Sequence, residues 1–566
     1  MSETVDSTAL FLEIDGRLAR NELRDNILQA SVEESLHVPG MFTLVLNPNY
    51  TPGKESNIQY ENEFTIGKSI KIGFQGGENR DYVLEGEITE IETNFTSNSQ
   101  TLLIVRGYDI SHRLWRGRYN RSFQNMSDTD IVNRIAMEVG IPTGTIDQTG
   151  GPYGYGDIKT STVNSSNVNS SNGYVFQENQ TNLEFLRERA ARNGFELFVQ
   201  DGKLNFRKPK ANETLELQWL KNLDSFRVKV NSAEQVKEVE VRGWDYSQKR
   251  AIVETANREQ VLTQTGYGQG SQTSTSFKGK PPTPKMIVVN QPIFNSLEAK
   301  TMAQALCNEL GEKFVQADGK AKGNPKIRPG RLVNLQGIGK HSGSYYITET
   351  HHLFQEGVYT TGFSVKTGDI LSLLSPKTHY QPEHNLLVGI VTDNKDPNGW
   401  GRVRVKFPTL TEECASYWAP VVTTGAGFNR GLDCLPEIND EVLVAFAHGD
   451  IHRPYVIGGV WNGKDKPPEP VSNSVMDGKV RLRTFKTSTG HTLQFVEEDK
   501  GASRKGVYLD TVYGHHLHLN DTDQFIELKT KDGHQIRLDD KNKRIQINST
   551  GTIEIKGKVK INEKEL

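Results

Sequence analysis

The chain has 566 residues, of which 35% are hydrophobic and 24% are charged. At roughly 150 residues per domain this length predicts about four domains, and the modest hydrophobic content favours several small or elongated modules over one large core. The 67 basic and 70 acidic residues give a net charge of −3, which argues against a general nucleic-acid-binding protein because such proteins need an excess of positive charge.

Targeting and redox signals are weak in this sequence. The longest aliphatic runs fall far short of the ~20 residues that cross a bilayer, and the acidic start does not resemble a secretory signal peptide. The three cysteines, Cys307, Cys414 and Cys434, are too scattered for a disulfide framework or a cysteine-rich zinc site. We therefore expect a chain made in a reducing cytoplasm.

The first two thirds of the chain read as strands with three helices. Residues 8 to about 120 alternate in strand fashion, for example at 9–14 and 69–74. Three helices are predicted. The first spans 127–139, the second begins with the capping box of Thr181 and Glu184 and ends at Gly194, and the third begins at Ser296. The third helix carries an apolar stripe of Met302, Leu306, Leu310 and Phe314, which we expect to face a core.

Polar segments separate these elements, and a tighter β region follows them. Residues 164–172 and 264–284 are predicted as exposed loops, strands resume over 331–363, and 375–385 is predicted as a linker. Short strands with Gly and Pro turns from Leu386 predict a small antiparallel barrel. Its 8 basic against 11 acidic residues over 385–470 disfavour nucleic acid even though tryptophans are present.

The last ninety residues repeat. Gly490-His491-Thr492-Leu493 recurs at Gly514 and Gly533, and a degenerate fourth copy begins at Gly551. The starts at 514, 533 and 551 are 19 and 18 residues apart, a spacing typical of a β solenoid, and each copy opens an alternating strand that a second strand follows.

One copy of such a ribbon buries little, because alternate side chains point to opposite faces. We therefore predict that several chains share one core, and three chains form the smallest closed prism. The predicted core residues of this trimer are Leu493, Leu517, Leu519, Ile536, Leu538, Ile545, Ile547, Ile553, Ile555, Val559 and Ile561.

For each motif that could indicate catalysis or cofactor binding, a purely structural role is the better interpretation. Gly458 to Lys464 begins like a phosphate-binding loop, but Asp465 replaces the required Ser or Thr and Pro467 precludes the helix that should follow. His516 and His518 are predicted to face away from the leucines, and His515 with its repeats is interpreted as a turn residue, so a metal site is the minority hypothesis. We expect no enzyme activity, no metal and no cofactor.

Several motifs resemble VgrG-type spike proteins of contractile injection systems. The resemblance lies in residues 388–405, 416–419, 435–446 and 448–464, and it extends more weakly into 105–109 and 182–195. It implies a mainly β protein with a few helices: a hub of two β-barrel-like subdomains with helices, a small barrel of the oligonucleotide/oligosaccharide-binding (OB) type, and a C-terminal triple-stranded, intertwined β-helix in a homotrimer.

The expected boundaries are a hub at 1–375, a linker at 376–384, the OB-type barrel at 385–465, a linker at 466–479 and the needle at 480–566. The short second linker leaves no room for a lysozyme domain, and the chain stops within a few residues of the last predicted strand, so we expect an unarmed spike.

The resemblance implies a structural role: capping the inner tube, joining it to the baseplate, and puncturing the target envelope when the sheath contracts. The implied partners are two further copies of the chain, an inner tube protein, baseplate wedge and hub proteins, a PAAR-repeat tip protein at the C-terminal end, and effector cargo, with no nucleic acid. Assembly is expected in the bacterial cytoplasm without a signal peptide, followed by outward delivery of the spike. The opening and residues 106–114 look more like the extracellular, phage-tail-like branch than the type VI secretion branch. The alternative hypothesis is a glycan-binding or glycan-degrading β-helix protein.

Overall fold

The computed structural model divides the chain into two compact units, Met1–Gly458 (unit 1) and Gly459–Leu566 (unit 2). The structure describes residues 8–48, 58–95, 101–149, 172–211, 213–245, 248–289, 291, 293, 295–366, 386–561 and 564–565. Within these ranges, none of the helices combines the length and the apolar character that crossing a membrane requires. The predicted linker at 376–384 and nearly all of the predicted loop at 164–172 lie outside the described residues.

Unit 1 begins with a group of antiparallel strands. They are β1 (Thr8–Ile14), β2 (Arg17–Leu18), helix α1 (Asn21–Asp25), β3 (Ile27–Ser35), β4 (Met41–Leu46), β5 (Ser69–Gly76), β6 (Asn79–Phe95) and β7 (Thr101–Asp109). Alternate residues of β7 are buried along its whole length, as expected of a strand with one face on a core. The strands predicted at 9–14 and 69–74 are confirmed as β1 and β5.

A helical layer follows, and it confirms two predicted helices. Its elements are a 3₁₀ helix (Ile110–Trp115), β8 (Tyr119–Met126), α2 (Asp128–Glu138), β9 (Thr143–Ile146), β10 (Asn172–Gln180), α3 (Asn182–Asn193), β11 (Glu196–Gln200) and β12 (Lys203–Arg207). Both α2 and α3 begin with capping boxes, from Ser127 and Thr181 respectively. Helix α3 ends at Gly194, whose φ of 65° suits glycine.

The third part of unit 1 mixes short strands with the longest helix. Its elements are β13 (Thr214–Gln218), β14 (Leu223–Val230), β15 (Glu238–Asp245), β16 (Arg250–Ala256), β17 (Gln264–Thr265), α4 (Gly270–Thr273), β18 (Lys285–Val288), α5 (Ser296–Glu312), β19 (Val315–Lys322), β20 (Leu332–Gln336), a 3₁₀ helix (Gly339–His341), β21 (Gly343–Tyr346), β22 (Glu349–Gln355) and β23 (Val358–Val365). The predicted stripe on α5 and after it is buried, which confirms the third helix. The prediction of a wholly exposed loop over 264–284 is wrong, because Ser271 and Ser274 of the α4 turn are buried and Ser271 N–H bonds Glu259.

Eleven of these strands form one sheet that curls back on itself. Its order is β14-β19-β23-β22-β3-β4-β7-β6-β5-β1-β2. Tyr359 on β23 nevertheless stacks on Phe74 on β5, with ring centroids 4.8 Å apart, although five strands lie between β23 and β5. The sheet is therefore strongly curved, which is consistent with the barrel-like hub that the resemblance implies.

A buried ion pair connects distant segments of this curved sheet. Arg328, only 2% exposed, reaches Glu34 on β3 with a 2.6 Å Nη2–Oε1 hydrogen bond and also bonds Asp201 and the carbonyl of Val83. Because a lone buried charge is costly, the three partners make Arg328 a fastener between segments far apart in the chain.

The last part of unit 1 is a small five-stranded barrel. Its elements are β24 (Leu386–Asp393), β25 (Arg402–Lys406), β26 (Ala419–Pro420), β27 (Glu441–Phe446), a 3₁₀ helix (Ala447–Gly449) and β28 (Pro454–Gly459), with the strand order β26-β25-β24-β27-β28. A parallel bridge between Val421 and Val456 joins the two ends of this order and closes the barrel. The antiparallel barrel predicted from the sequence is thus present.

A carboxylate–guanidinium pair explains part of the barrel's motif. Arg402 bonds both carboxylate oxygens of Asp396, at 2.9 Å from Nε and 2.7 Å from Nη2, and both side chains are almost wholly buried. Burial opposes ionisation of Asp396, but the hydrogen bonds from Arg402 and from backbone amides outweigh it and lower the pKa of Asp396 to about 2. The pair therefore locks the turn at 396–399 onto the strand that follows it.

Unit 2 consists of short strands after one helical turn. They are α6 (Val471–Ser474), β29 (Val475–Met476), β30 (Lys479–Val480), β31 (Leu482–Lys486), β32 (Thr492–Val496), β33 (Gly506–Asp510), β34 (His516–Asn520), β35 (Phe525–Lys529), β36 (Gln535–Asp539), β37 (Arg544–Asn548), β38 (Lys560–Ile561) and β39 (Lys564–Glu565). The segment at 466–479, predicted as a bare linker, contains α6 and the first strand of a small hairpin.

Candidate assembly surface in unit 2

The repeated sequence folds into a single antiparallel meander. Strands β31 to β37 pair strictly in chain order, so each inner strand lies between its two sequence neighbours, and β31 and β37 form the edges. Every pairing from β31 to β37 runs without a register shift over all five residues of each strand, for example Leu517 opposite Leu509 and opposite Leu528. Corresponding positions of all seven strands therefore line up across the sheet.

The turns along one edge of this meander are built identically. In each, a threonine hydroxyl accepts the N–H of the histidine four residues later, at 3.0–3.1 Å, as Thr511 does for His515. The glycine before the histidine has a φ between 92° and 106°, which side chains with a Cβ rarely adopt. Thus the pattern Thr-x-x-Gly-His is a turn signature, and its glycine is required by the backbone.

The turn histidines also connect one turn to the next. The Nδ1 atoms of His491, His515 and His534 accept backbone N–H groups of residues 512, 531 and 550, at 3.2–3.4 Å. The prediction that these histidines are turn residues bonding the backbone is confirmed.

One face of the meander is apolar from β31 to β37, apart from Arg483 of β31, which lies opposite Phe495. Two rows of side chains cross it, one formed by Phe485, Leu493, Leu509, Leu517, Leu528, Ile536 and Ile547, the other by Phe495, Val507, Leu519, Ile526, Leu538 and Ile545. We call these thirteen residues the apolar face. Leu493, Leu517, Leu519, Ile536, Leu538, Ile545 and Ile547 were predicted from the repeats, and the structure brings all seven together on it.

The apolar face is uncovered in the single chain. Eleven of its side chains are 36% to 71% exposed, and Leu493 and Val507 are half-buried. A contiguous exposed apolar surface of this kind is unusual for a monomer and marks a site of association.

The remaining predicted core residues lie outside the meander. The structure has no strand over residues 549–559, so the fourth repeat does not continue the ladder. Ile553 and Ile555 are 50% and 68% exposed, and Val559 is half-buried. Ile561 lies in β38, but its side chain is outside the described residues. The fourth copy lacks both the Thr and the His of the turn signature, which is the physical reason that the turn does not re-form there.

The sequence interpretation missed six members of the apolar face. Phe485 comes before the first repeat, and Phe495, Val507 and Leu509 follow its opening at Gly490, where an insertion at 497–505 hides the register between β32 and β33. Ile526 and Leu528 were assigned to a strand but not to the core. Their alternation in Phe525-Ile526-Glu527-Leu528 was the signal that could have included them.

The opposite face of the meander is polar, and it carries His516 and His518 as predicted. On β33, His516 lies opposite Asp510 and His518 opposite Tyr508; on β35, His516 lies opposite Lys529 and His518 opposite Glu527. Burial opposes the charge of Glu527, but hydrogen bonds from His516 and Gln535 outweigh it and lower the pKa of Glu527.

The segment that resembles a phosphate-binding loop is a turn. The Asn462 side-chain oxygen accepts the backbone N–H groups of Lys464 and Asp465, both at 2.8 Å, and the next helix begins only at Val471. This confirms the interpretation as a turn at the end of the barrel region.

Two family models match parts of the chain. The model described as the Alg8 N-terminal domain matches residues 26–356, more than half of the chain. The chain belongs to this family. A second model, the type VI secretion system/phage-baseplate injector OB domain, matches residues 387–461, which span the five-stranded barrel of this Alg8-family chain.

Curated relatives carry the name VgrG. The type VI secretion system spike protein VgrG2a of Pseudomonas aeruginosa is 27% identical over 142 residues, which are 24% of this chain and 17% of that protein. The actin cross-linking toxin VgrG1 of Vibrio cholerae is 23% identical over 216 residues, 36% of this chain and 19% of that protein. The matched regions thus span less than a fifth of either relative.

A solved structure extends the likeness to the whole fold. The Francisella PdpA–VgrG complex matches with a TM-score of 0.51 and 9% identity, covering 97% of this chain and 89% of that one. At this identity the likeness shows a shared fold. The VgrG-named relatives and the match to the injector OB domain support recognition of the Alg8-family chain as a VgrG-type spike protein, and they do not favour the glycan-binding or glycan-degrading alternative.

Proposed function

We propose that the protein is the homotrimeric spike of a contractile injection system, which caps the inner tube, joins it to the baseplate and punctures the target envelope. In this proposal residues 1–375 form the hub, 385–465 the OB-type barrel and 480–566 the needle, with linkers at 376–384 and 466–479. The role is structural, and no step of it requires catalysis by this chain.

The uncovered apolar face is the observation that carries the trimer. A sheet with one apolar and one polar face needs a partner for the apolar side. A second copy of the same chain offers the same thirteen residues, and three copies arranged around one axis turn all three apolar faces inward. The polar face then meets solvent, which suits its histidines and charged residues.

Mechanical strength follows from the way the meander is held together. Each of the seven strands is paired along its full length, and the turns along one edge are tied to one another through the histidines. If three such sheets share a core, then one chain leaves only when apolar contacts along the whole needle break together. This property suits an element that is pushed through an envelope.

The other partners follow from the same role. The hub would contact the inner tube protein and the baseplate wedge and hub proteins, and the C-terminal end would take a PAAR-repeat tip protein. Effector cargo is a further proposed partner. The VgrG name of the curated relatives and the VgrG complex among similar structures support a spike that works with partner proteins.

Cysteine cross-linking tests the shared core directly. Leu517 lies on the apolar face, and around a threefold axis the three copies of residue 517 stand at the same height. With Cys434, the exposed native cysteine, replaced by serine, the Leu517→Cys variant is expected to form covalent dimers of the chain under mild oxidation or with a short bismaleimide.

The matched control is Gln546→Cys, which lies on the polar face in the centre row of the same meander. It should give only the background cross-linking of the parent chain. Equal cross-linking at 517 and 546, or none at 517 in a protein of trimer mass, would contradict a core built from the apolar face.

A further inference from the structure

The polar face of the meander contains one cluster of metal-ligating side chains that the trimer does not use. Asp510 ends β33, and His516 and His518 are the first and third residues of β34. One donor atom from each of the three residues lies within 4.8 Å of the other two. All three belong to one hairpin whose turn is fixed by the Thr-x-x-Gly-His signature.

The geometry of the cluster places nitrogen and oxygen donors side by side. His518 Nε2 lies 2.8 Å from Asp510 Oδ1, and the imidazoles of His516 and His518 stack with centroids 4.0 Å apart. A fourth donor is close, since Glu527 Oε1 lies 3.0 Å from His516 Nε2. The histidine side chains are only 18% and 22% exposed, so their positions are restrained by packing.

We propose that Asp510, His516 and His518 bind one divalent transition-metal ion of the zinc class per chain, on the outer, polar face of the needle. Two imidazoles and a carboxylate form a donor set that suits zinc, cobalt or nickel better than magnesium or calcium. Metal–donor bonds of about 2.1 Å place tetrahedral donors about 3.4 Å apart. The donor atoms, which lie within 4.8 Å of one another, therefore approach by at most about 1.4 Å, whereas His518 Nε2 and Asp510 Oδ1, now 2.8 Å apart, separate by about 0.6 Å. Glu527 supplies the fourth ligand or orients His516.

The cluster occurs once in the meander. The positions equivalent to His516 and His518 are Thr492 and Gln494 in the preceding repeat, and Gln535 and Arg537 in the following one. Threonine, glutamine and arginine do not form such a site, so the repeat architecture by itself does not explain the paired histidines. The turn histidines, in contrast, recur in all three copies and use Nδ1 to accept a backbone N–H.

The site is distinct from an ion on the needle axis. Leu517, between the two histidines, belongs to the apolar face, so His516 and His518 point to the other side of the sheet. A metal bound to them connects β33 to β34 within one chain. The ion would therefore cross-link the two strands of one hairpin, and the stoichiometry would be one ion per chain rather than one per trimer.

The test is titration of the metal-stripped full-length chain with zinc chloride by calorimetry, and with cobalt(II), whose visible absorption reports its coordination geometry. We expect one ion per chain and a tetrahedral cobalt spectrum. His518→Gln and Asp510→Asn should each weaken binding at least tenfold. His491→Gln, a turn histidine of another repeat, should leave binding unchanged. Circular dichroism and solution mass check that each variant is folded and assembled.

Two results would overturn the proposal. One is zinc binding that is equally tight in His518→Gln, Asp510→Asn and the parent chain. The other is one ion per three chains that survives Asp510→Asn, which would place the ion elsewhere.

Discussion

Replacing Ile536 with aspartate is expected to prevent association through unit 2. Ile536 is the sixth of the seven residues of one apolar row, between Leu528 and Ile547, and is 47% exposed in the single chain. Fully burying such a side chain contributes about 1.5–3 kcal/mol, so covering its exposed half contributes about 1 kcal/mol per chain. The eleven measured side chains of the apolar face together then contribute about 10 kcal/mol per chain, or about 30 kcal/mol per trimer.

The Ile536→Asp substitution replaces this favourable free energy of burial with the unfavourable free energy of burying a charge. Three carboxylates would be buried around one axis, and each costs several kcal/mol without a partner, so the trimer loses about 10 kcal/mol or more. At about 1.4 kcal/mol per tenfold, association weakens by about seven orders of magnitude or more. Light scattering at micromolar concentration should therefore give a monomer mass for Ile536→Asp.

Gln546→Asp is the matched control, because Gln546 lies on the polar face of the adjacent strand β37, opposite Arg537. This variant should keep the trimer mass. A stable trimer of Ile536→Asp would refute the assignment of the apolar face to a shared core, and loss of the trimer only in Gln546→Asp would assign the interface to the polar face.

Three further predictions concern unit 1. Asp396→Asn should destabilise the barrel by about 2.5 kcal/mol at pH 7, because the shift of the Asp396 pKa from 3.8 to about 2 is lost; hydrogen exchange of β24 and β25 measures it, and unchanged protection would contradict it. Arg328→Ala should cost about 3–5 kcal/mol because it leaves Glu34 buried without its partner, and an unchanged denaturant midpoint of unit 1 would refute this. Burial lowers the pKa of His352 to about 3, so its contribution to stability is complete above pH 6.5 and is lost as the pH falls towards 3. His352→Gln should flatten the pH dependence of unfolding between pH 4.5 and 6.5 by about 1.4 kcal/mol per pH unit, and identical slopes for parent and variant would contradict this.

Local signals in the sequence predicted local structure well. The capping box at Thr181 placed α3, because a side chain that bonds the third backbone N–H of a helix acts within a few residues. The apolar spacing of Ile131 and Ile135, with Gly140 as the stop, placed α2. The glycine–histidine repeats placed the strands of unit 2 for a similar reason. The turn signature at Thr511 to His515 fixes where one strand ends and the next begins.

These local signals could not predict which distant strands pair with each other. Strand β3 pairs with β22, and Glu34 meets Arg328 at a separation of 294 residues, which no short pattern encodes. The Asp510–His518 contact was missed for a milder reason. The two residues are eight apart, but only the pairing of β33 with β34 shows that their side chains share the polar face.

The limits of the repeat also have a physical basis. Periodic apolar residues continue through Ile553 and Ile555, so the pattern predicted a fourth strand pair. The turn there has neither the threonine hydroxyl nor the histidine ring that fix the other turns. Apolar alternation alone therefore does not hold the ladder in this single chain.

The solution mass of the unaltered chain tests the central claim most directly, measured by light scattering on the full chain and on a version that ends at Pro470. The trimeric spike predicts three times the chain mass for the full chain, and a weaker or lost trimer after truncation, because the apolar face has been removed. A stable full-length monomer would contradict the shared core, and a truncated chain that trimerises as tightly as the full one would show that the association does not depend on unit 2.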